Sequence, residues 1–180
     1  MENFVYSIPT TAFFGKGQIN ILGETIRRFG GSKVLFAYGG GSIKRFGIYD
    51  AIIDQLNKAG LAYAELSGIQ PNPRVESAEE GVRIYRENDC DFILAVGGGS
   101  TIDACKLIAA GVKYNGPVPD LFVNETGLSP ITDAAPLATI LTMAGTGSEM
   151  DMGGVITVGD DHKKKVVMHP LLNPKFSILD

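Results

Sequence analysis

The sequence predicts an α/β fold: a Rossmann-like parallel sheet flanked by helices, with an N-terminal edge strand or hairpin. Two observations support this prediction. Short runs of consecutive apolar residues alternate with segments of helical periodicity, and clusters of glycine stand between the runs and the segments that follow them. A short apolar run bounded by glycines is typical of a strand buried on both faces. Repeated alternation of strands and helices indicates parallel strands joined by helical crossovers.

The first unit of this alternation begins at residues 33–38 (KVLFAY), which lie between two glycine clusters. From Ser42 onward apolar residues recur at helical spacing, and Gly60 supplies the expected stop, so one helix is predicted there. The same order then repeats, with strands predicted at 62–66 and 92–96 and helices at 75–87 and 100–110.

The segments on either side of these units are less regular. Residues 18–29 have a helical pattern, whereas residues 4–8 and 12–14 suit a hairpin or an edge strand. The residues between 111 and 137 are rich in proline, glycine and aspartate, which fits either a functional loop over a cleft or an irregular insertion. Further strands are predicted at 137–142, 154–158, 166–168 and 176–179.

Length, charge and cysteine content limit the class of protein. A chain of 180 residues suits one domain, here taken as 1–180. The net charge is −4 and the basic residues are scattered, so no nucleic-acid partner is expected. No apolar stretch is long enough to cross a membrane, and there is no secretory leader pattern. Cys90 and Cys105 lie in or beside apolar segments without metal-ligand spacing, which indicates reduced core thiols and a cytoplasmic location.

One glycine cluster joins a predicted buried strand directly to a predicted helix. The residues ILAVGGGSTIDACK contain Gly97, Gly98, Gly99 and Ser100 at this junction. Glycines allow a ligand to approach the backbone, and the free amides at a helix start stabilise an anion. Ser100 could donate to a phosphate or cap the helix. Asp103 could contact a cofactor, or its carboxylate could interact favourably with the helix dipole. The cluster matches neither common nucleotide fingerprint, so a well-capped strand-helix connection is the alternative.

A second cluster follows the first predicted strand and reads YGGGSIK. It contains Gly40, Gly41 and Ser42, with Lys44 nearby and no carboxylate. In dinucleotide folds an acidic residue at such a turn binds the adenosine ribose and would repel a 2′-phosphate. Its absence favours NADP over NAD, although a simple helix start is the alternative.

A third segment, LTMAGTGSEMD at residues 141–151, also runs from a predicted strand into a turn. Its polar side chains are Thr142, Thr146, Ser148, Glu149 and Asp151. They could line a cleft, but serine or threonine ahead of glutamate is also common at a helix start.

Taken together, the motifs GGGSIK, GGGSTID and TMAGTGSEMD, in this order and spacing, resemble the iron-containing alcohol dehydrogenase family. The likeness extends along essentially the whole chain and is strongest to the NADPH-dependent butanol and aldehyde-reducing members. The resemblance implies that Gly98, Gly99 and Ser100 bind the diphosphate and that Gly40 and Ser42 face the adenosine ribose. It further implies that Thr142, Thr146 and Asp151 border the nicotinamide and that Lys164, one of three successive lysines, contacts the cofactor. The family usually has asparagine where Asp151 stands, so the sequence departs from the family motif at that residue.

The resemblance also predicts what this sequence lacks. Family members have a helical C-terminal domain whose aspartate and histidines hold a divalent metal, iron or zinc, and those residues are absent here. His162 and His169 do not match that motif, so no metal site is predicted. In the complete enzyme the metal would polarise a small alcohol or aldehyde while hydride passes to or from the nicotinamide. This chain alone is expected to bind cofactor without turnover. The resemblance also implies a homodimer, and the apolar residues 4–14 are the predicted pairing edge.

Two other functions stay open from the sequence. One is a relative such as glycerol dehydrogenase or dehydroquinate synthase, which share a similar GGGS turn, although TMAGTGSEMD argues against them. The other is a stand-alone nucleotide-binding module without catalysis.

Overall fold

A computed structural model describes residues 7–159 and 163–180 of the chain. Its centre is a six-stranded sheet in the order β1-β8-β5-β4-β2-β3, and every neighbouring pair is parallel. The strands of this sheet are β1 (Thr11–Phe14), β2 (Lys33–Tyr38), β3 (Ala62–Leu66), β4 (Phe92–Gly97), β5 (Leu137–Leu141) and β8 (Phe176–Leu179). The predicted Rossmann-like sheet is thereby confirmed.

Helices cover both faces of the sheet. They are α1 (Leu22–Arg28), α2 (Ser42–Arg45), α3 (Ile48–Lys58), α4 (Val75–Glu87) and α5 (Gly99–Gly111). The central strands are buried on both sides, because alternate residues of β2 and β4 belong to two different apolar clusters. Leu35 and Ile93 pack towards α4 and α5, whereas Phe36 and Leu94 pack towards α1 and α3.

The predicted helix between Ser42 and Gly60 is wrong in one respect, because the structure divides it into α2 and α3. Gly47 has a φ of 73°, which ends one helix and starts the next in a new direction. This left-handed conformation is accessible to glycine at little cost. The apolar periodicity continues across the break, which is why the pattern alone predicted a single helix.

Two strands form a separate antiparallel ribbon, β6 (Gly153–Val158) with β7 (Lys163–Met168). The ribbon packs on α5, which explains why that helix is buried on nearly every side. The proline-rich residues 112–136 pack under the same part of the molecule, where Val123 N donates to Val166 O over 2.8 Å. Their buried side chains are core, and none of them lines the cleft described below.

At the amino-terminal side, the edge-strand alternative is confirmed by β1, which pairs with β8. Residues 4–6 of the possible hairpin lie outside the described residues. Among the described helices none is long and apolar enough to cross a membrane.

Candidate functional site

The candidate site lies where the sheet topology reverses. From β2 the chain moves outward to β3 and then returns past β2 to form β4, so the segments that follow β2 and β4 leave towards opposite faces of the sheet. In open α/β sheets, ligands bind in the crevice at such a switch point. Both GGGS turns begin there, at Gly39 after β2 and at Gly98 after β4.

A cavity of about 300 Å³ joins the two turns to the segment that follows β5. It brings together eight of the residues predicted from the sequence: Gly40, Ser42, Gly97, Gly98, Gly99, Ser100, Thr142 and Thr146. Residues that sequence analysis did not select also line it, namely Gly39, Ile43, Ile69, Pro71, Val96, Thr101 and Met143. The three motifs therefore converge on one cleft, although they are spread over 100 residues of sequence.

The glycines after β4 are required for different reasons. A Cβ on Gly97 would lie 2.5 Å from Thr101 Oγ1, and one on Gly99 would lie 2.4 Å from Thr146 Oγ1. These two glycines let the strand, the helix and the third motif pack closely. A Cβ on Gly98 would come no nearer than 3.6 Å to Met143, so the space beside Gly98 is open to the cleft.

The N-terminus of α5 is suited to an anion. Gly98 is the N-cap residue, and no side chain within residues 7–159 or 163–180 caps the helix start. The first amides of a helix have no intrahelical partner and carry the positive end of the dipole. Ser100 does not cap the helix as the sequence allowed, because it lies inside the first turn and its Oγ accepts from Asn72 N at 3.3 Å.

Asn72 extends the cleft towards β6 and β7, and sequence analysis missed it. Its side-chain oxygen accepts from Lys164 Nζ at 2.8 Å, and the same ammonium donates to Thr157 Oγ1 at 2.8 Å. Asn72 has a φ of 57°, a conformation that asparagine tolerates better than most residues. The sequence Pro-Asn-Pro after a strand was the available signal, because it marks a turn.

A second cavity of about 370 Å³ has Lys164 in its wall and shares Pro71 with the first. Lys165, by contrast, places its ammonium over the Phe122 ring at 5.6 Å. The structure thus brings Lys164 to the cleft region in preference to its neighbour.

Four other predicted residues do not line the first cavity. Gly41 is the exposed N-cap residue of α2. Asp103 Oδ2 accepts from Val155 N at 2.9 Å, and burial raises the pKa of its carboxyl group. Ser148 is buried, with its Oγ 2.9 Å from Thr146 Oγ1. Asp151 Oδ1 accepts from Lys106 Nζ at 2.5 Å. A cofactor contact by any of these four residues stays a prediction.

Next to the first turn, Glu65 joins two tyrosines. Its carboxylate accepts from Tyr38 Oη at 2.6 Å and from Tyr49 Oη at 2.8 Å. Lys44 Nζ lies over the same rings, 4.6 Å from the Tyr49 centroid and 5.5 Å from that of Tyr38. Burial and the Glu65 hydrogen bond raise the pKa of Tyr38 to about 12, and chiefly the Glu65 hydrogen bond raises that of Tyr49 to about 12.

This cluster predicts a pH dependence of stability. A group whose pKa is higher in the folded than in the unfolded protein holds its proton more tightly when folded. The free energy of unfolding should therefore fall as the pH rises from about 10, the usual tyrosine pKa, to about 12. Tyrosinate absorbance should show that Tyr38 and Tyr49 ionise at higher pH in the native chain than in the unfolded chain. Glu65→Gln should move their ionisation to lower pH. Unchanged titration in Glu65→Gln would contradict the assigned cause.

The fold and this cleft define a Rossmann-like α/β protein with a glycine-lined site suited to a bound anion. A family model for iron-containing alcohol dehydrogenases matches residues 9–180. The chain belongs to that family.

Similar proteins agree with this assignment. The chain is 51% identical over its whole length to NADH-dependent butanol dehydrogenase B of Clostridium acetobutylicum, covering 45% of that protein. It is 38% identical to the NADPH-dependent aldehyde reductase YqhD of Escherichia coli, covering 46% of it. A crystal structure of NADH-dependent butanol dehydrogenase A from Thermotoga maritima superposes with a TM-score of 0.93 at 42% identity, and the chain covers 44% of it. The chain thus spans less than half the length of these relatives.

Proposed function

We propose that residues 1–180 are the cofactor-binding domain of an NAD(P)-dependent alcohol dehydrogenase that interconverts small alcohols and aldehydes. The observation that carries this proposal is the glycine-lined cleft at the switch point, with an uncapped helix start at Gly98. Membership of the family supports the reaction class. The bound dinucleotide would accept or supply the hydride, and the residues of this chain would bind and orient it.

Each side of the cleft has a proposed part in binding. The diphosphate lies against Gly98, Gly99 and Ser100, where free amides donate to its oxygens. The adenosine lies towards Gly40 and Ser42, and the nicotinamide half lies towards Thr142, Thr146 and Lys164. This division places the phosphates at the positive end of the α5 dipole.

We propose NADP as the preferred form because Lys44 lies close to the adenosine side and no carboxylate is among the described residues that line the cleft. Glu65 is the nearby acid, and both of its oxygens already accept from tyrosines. Lys44 lies two residues beyond Ser42, which lines the cleft. The relatives' names point to both cofactors, one being NADH-dependent and another NADPH-dependent.

Lys44→Met tests this preference. Loss of one partly screened charge near a phosphate should cost about 1 kcal/mol, or about fivefold in NADPH affinity. NADH affinity should change little. Arg45→Met is the matched control, since Arg45 is the next residue and lies over the Phe46 ring. Equal losses for NADPH and NADH in Lys44→Met would contradict a 2′-phosphate contact.

Calorimetric titration of the 180-residue chain with NADPH and NADH tests the function as a whole. We expect saturable binding with one site per chain. A folded sample that binds neither compound contradicts the proposal.

The described residues do not fit the family's metal. They contain no group of three or more histidine, cysteine, aspartate or glutamate side chains placed to hold an ion. His169 Nδ1 accepts from Leu171 N at 3.2 Å and so serves a local turn, whereas His162 lies outside the described residues. We therefore assign no step of the reaction to a metal on these residues.

Two further predictions concern the setting of the domain. Cys90 and Cys105 are both buried and unpaired, which supports the proposed cytoplasmic location. Strand β1 lies at the edge of the sheet, which supports the prediction of a homodimer through that edge.

A further inference from the structure

Lys106 is a charged residue in the middle of a helix whose other residues are almost all buried. Its side chain is fully buried, and it is among the largest side chains with no exposed surface. An ammonium group in such surroundings is costly unless it is paired and hydrogen-bonded. Lys106 was not selected from the sequence, and it does not line the cleft.

The ammonium is held at a single place, the turn that leads into β6. Nζ donates to Asp151 Oδ1 at 2.5 Å and to Gly153 O at 2.6 Å. Asp151 Oδ1 also accepts from Gly153 N at 3.0 Å. One lysine therefore fixes both a side chain and the backbone of residues 151–153.

The same segment is held against α5 at two other points. On the cleft side, Thr146 packs so closely on the helix that Gly99 has no room for a Cβ. Beyond its end, Asp103 Oδ2 accepts from Val155 N at 2.9 Å, and a Cβ on Gly154 would lie 3.1 Å from the Asp103 backbone. We call residues 142–153 the wall segment, because it begins at Thr142 in the cleft and ends at the Lys106 contact.

From this arrangement we infer that Lys106 is a positioning residue, which holds the Asp151 end of the wall segment against the helix that starts at the diphosphate turn. It acts through Asp151 and Gly153 and does not touch the cofactor itself. The predicted effect of Lys106 on cofactor binding rests on the proposed function, because the wall segment borders the proposed nicotinamide half of the cleft.

A positioning role and a purely stabilising role make different predictions. The contacts of Lys106 lie at residues 151–153 of the segment that follows β5, whereas the adenosine turn at Gly40 and Ser42 follows β2, and β4 lies between these two strands in the sheet. Loss of the Lys106 contacts with Asp151 and Gly153 should weaken binding of a ligand that reaches the wall segment and leave the binding of a shorter ligand unaffected. General loss of stability would weaken both.

The experiment compares NADPH with ADP, which lacks the nicotinamide half, on wild type and Lys106→Met. We expect the Kd for NADPH to rise by about tenfold, the equivalent of one hydrogen bond lost between the displaced wall segment and the cofactor, and the Kd for ADP to stay within about twofold. Lys106→Arg should recover part of the NADPH affinity if it folds, because it can still donate to Asp151. Equal change for both ligands, or no change for either, would overturn the inference.

Amide hydrogen exchange without any ligand provides a measurement that does not depend on cofactor binding. Lys106→Met should speed exchange at the amides of Gly153 and Val155, with little change at the β2 and β4 amides. Cys105→Ala is the matched control, since Cys105 is an equally buried neighbour on the same helix. Unchanged exchange at residues 151–155 would overturn the inference even if cofactor binding is strong. If wild type binds neither ligand, the proposed function fails, and the exchange measurement still tests whether Lys106 positions residues 151–155.

Discussion

Gly98→Ala should weaken NADPH binding by about tenfold to a hundredfold, the cost of one or two charge-assisted hydrogen bonds, without destabilising the fold. Gly98 has a φ of −86° and a ψ of −171°, an extended conformation that alanine also adopts. The added methyl group would meet Met143 at an ordinary 3.6 Å. Both residues line the cleft, so the methyl group occupies space that the diphosphate needs to reach the amides.

Calorimetric titration measures the affinity in this experiment, and urea unfolding measures the stability. Gly99→Ala is the contrasting variant, because its methyl group would clash with Thr146 at 2.4 Å. That variant should lose stability as well as affinity. A Gly98→Ala chain that is stable and binds NADPH as tightly as wild type would show that the phosphates lie elsewhere.

Phe176→Ala should lower the free energy of unfolding by about 3–5 kcal/mol, the usual cost of removing a fully buried phenyl ring. Phe176 has no exposed surface and lies on β8. Its ring centroid is 5.5 Å from that of Phe29, 6.1 Å from that of Phe13 and 6.3 Å from that of Phe92. The ring thereby joins three elements, and no small residue can fill the space that it occupies.

Urea unfolding followed by circular dichroism measures this loss. Phe14→Ala is the control, because the Phe14 side chain is 82% exposed, and its effect should stay within about 0.5 kcal/mol. A loss below about 1 kcal/mol in Phe176→Ala would mean that the cavity collapses at little cost, contrary to the close packing seen here.

The central part of the fold could be predicted from sequence because its strands are buried on both faces. Residues 33–38 and 92–97 consist almost entirely of apolar side chains, and glycine turns mark where each strand ends. The convergence of the two GGGS turns follows from this topology, since the carboxyl ends of parallel strands meet at one edge. The eight cleft residues were therefore accessible to sequence reasoning.

The remainder depends on contacts that local patterns do not encode. The apolar periodicity continues across the break at Gly47, so the pattern predicted one helix. The break depends on the left-handed conformation of Gly47, which only the structure shows. Lys106 was not selected from the sequence, because nothing local shows that the β6–β7 ribbon covers its helix. Asn72 contacts Ser100 in the cleft and joins it to Lys164, which is 92 residues away from Asn72 in sequence.

The pairing of β1 with β8 has a consequence for folding. Thr11 is in register with Phe176, so β1 can pair with β8 only after residue 176 has been synthesised. Contacts of such large sequence separation slow folding, since the loop between them must close before any gain is realised. During synthesis on the ribosome, the exposed edge of β5 should be open to association with other chains until β8 has been made and has paired with it.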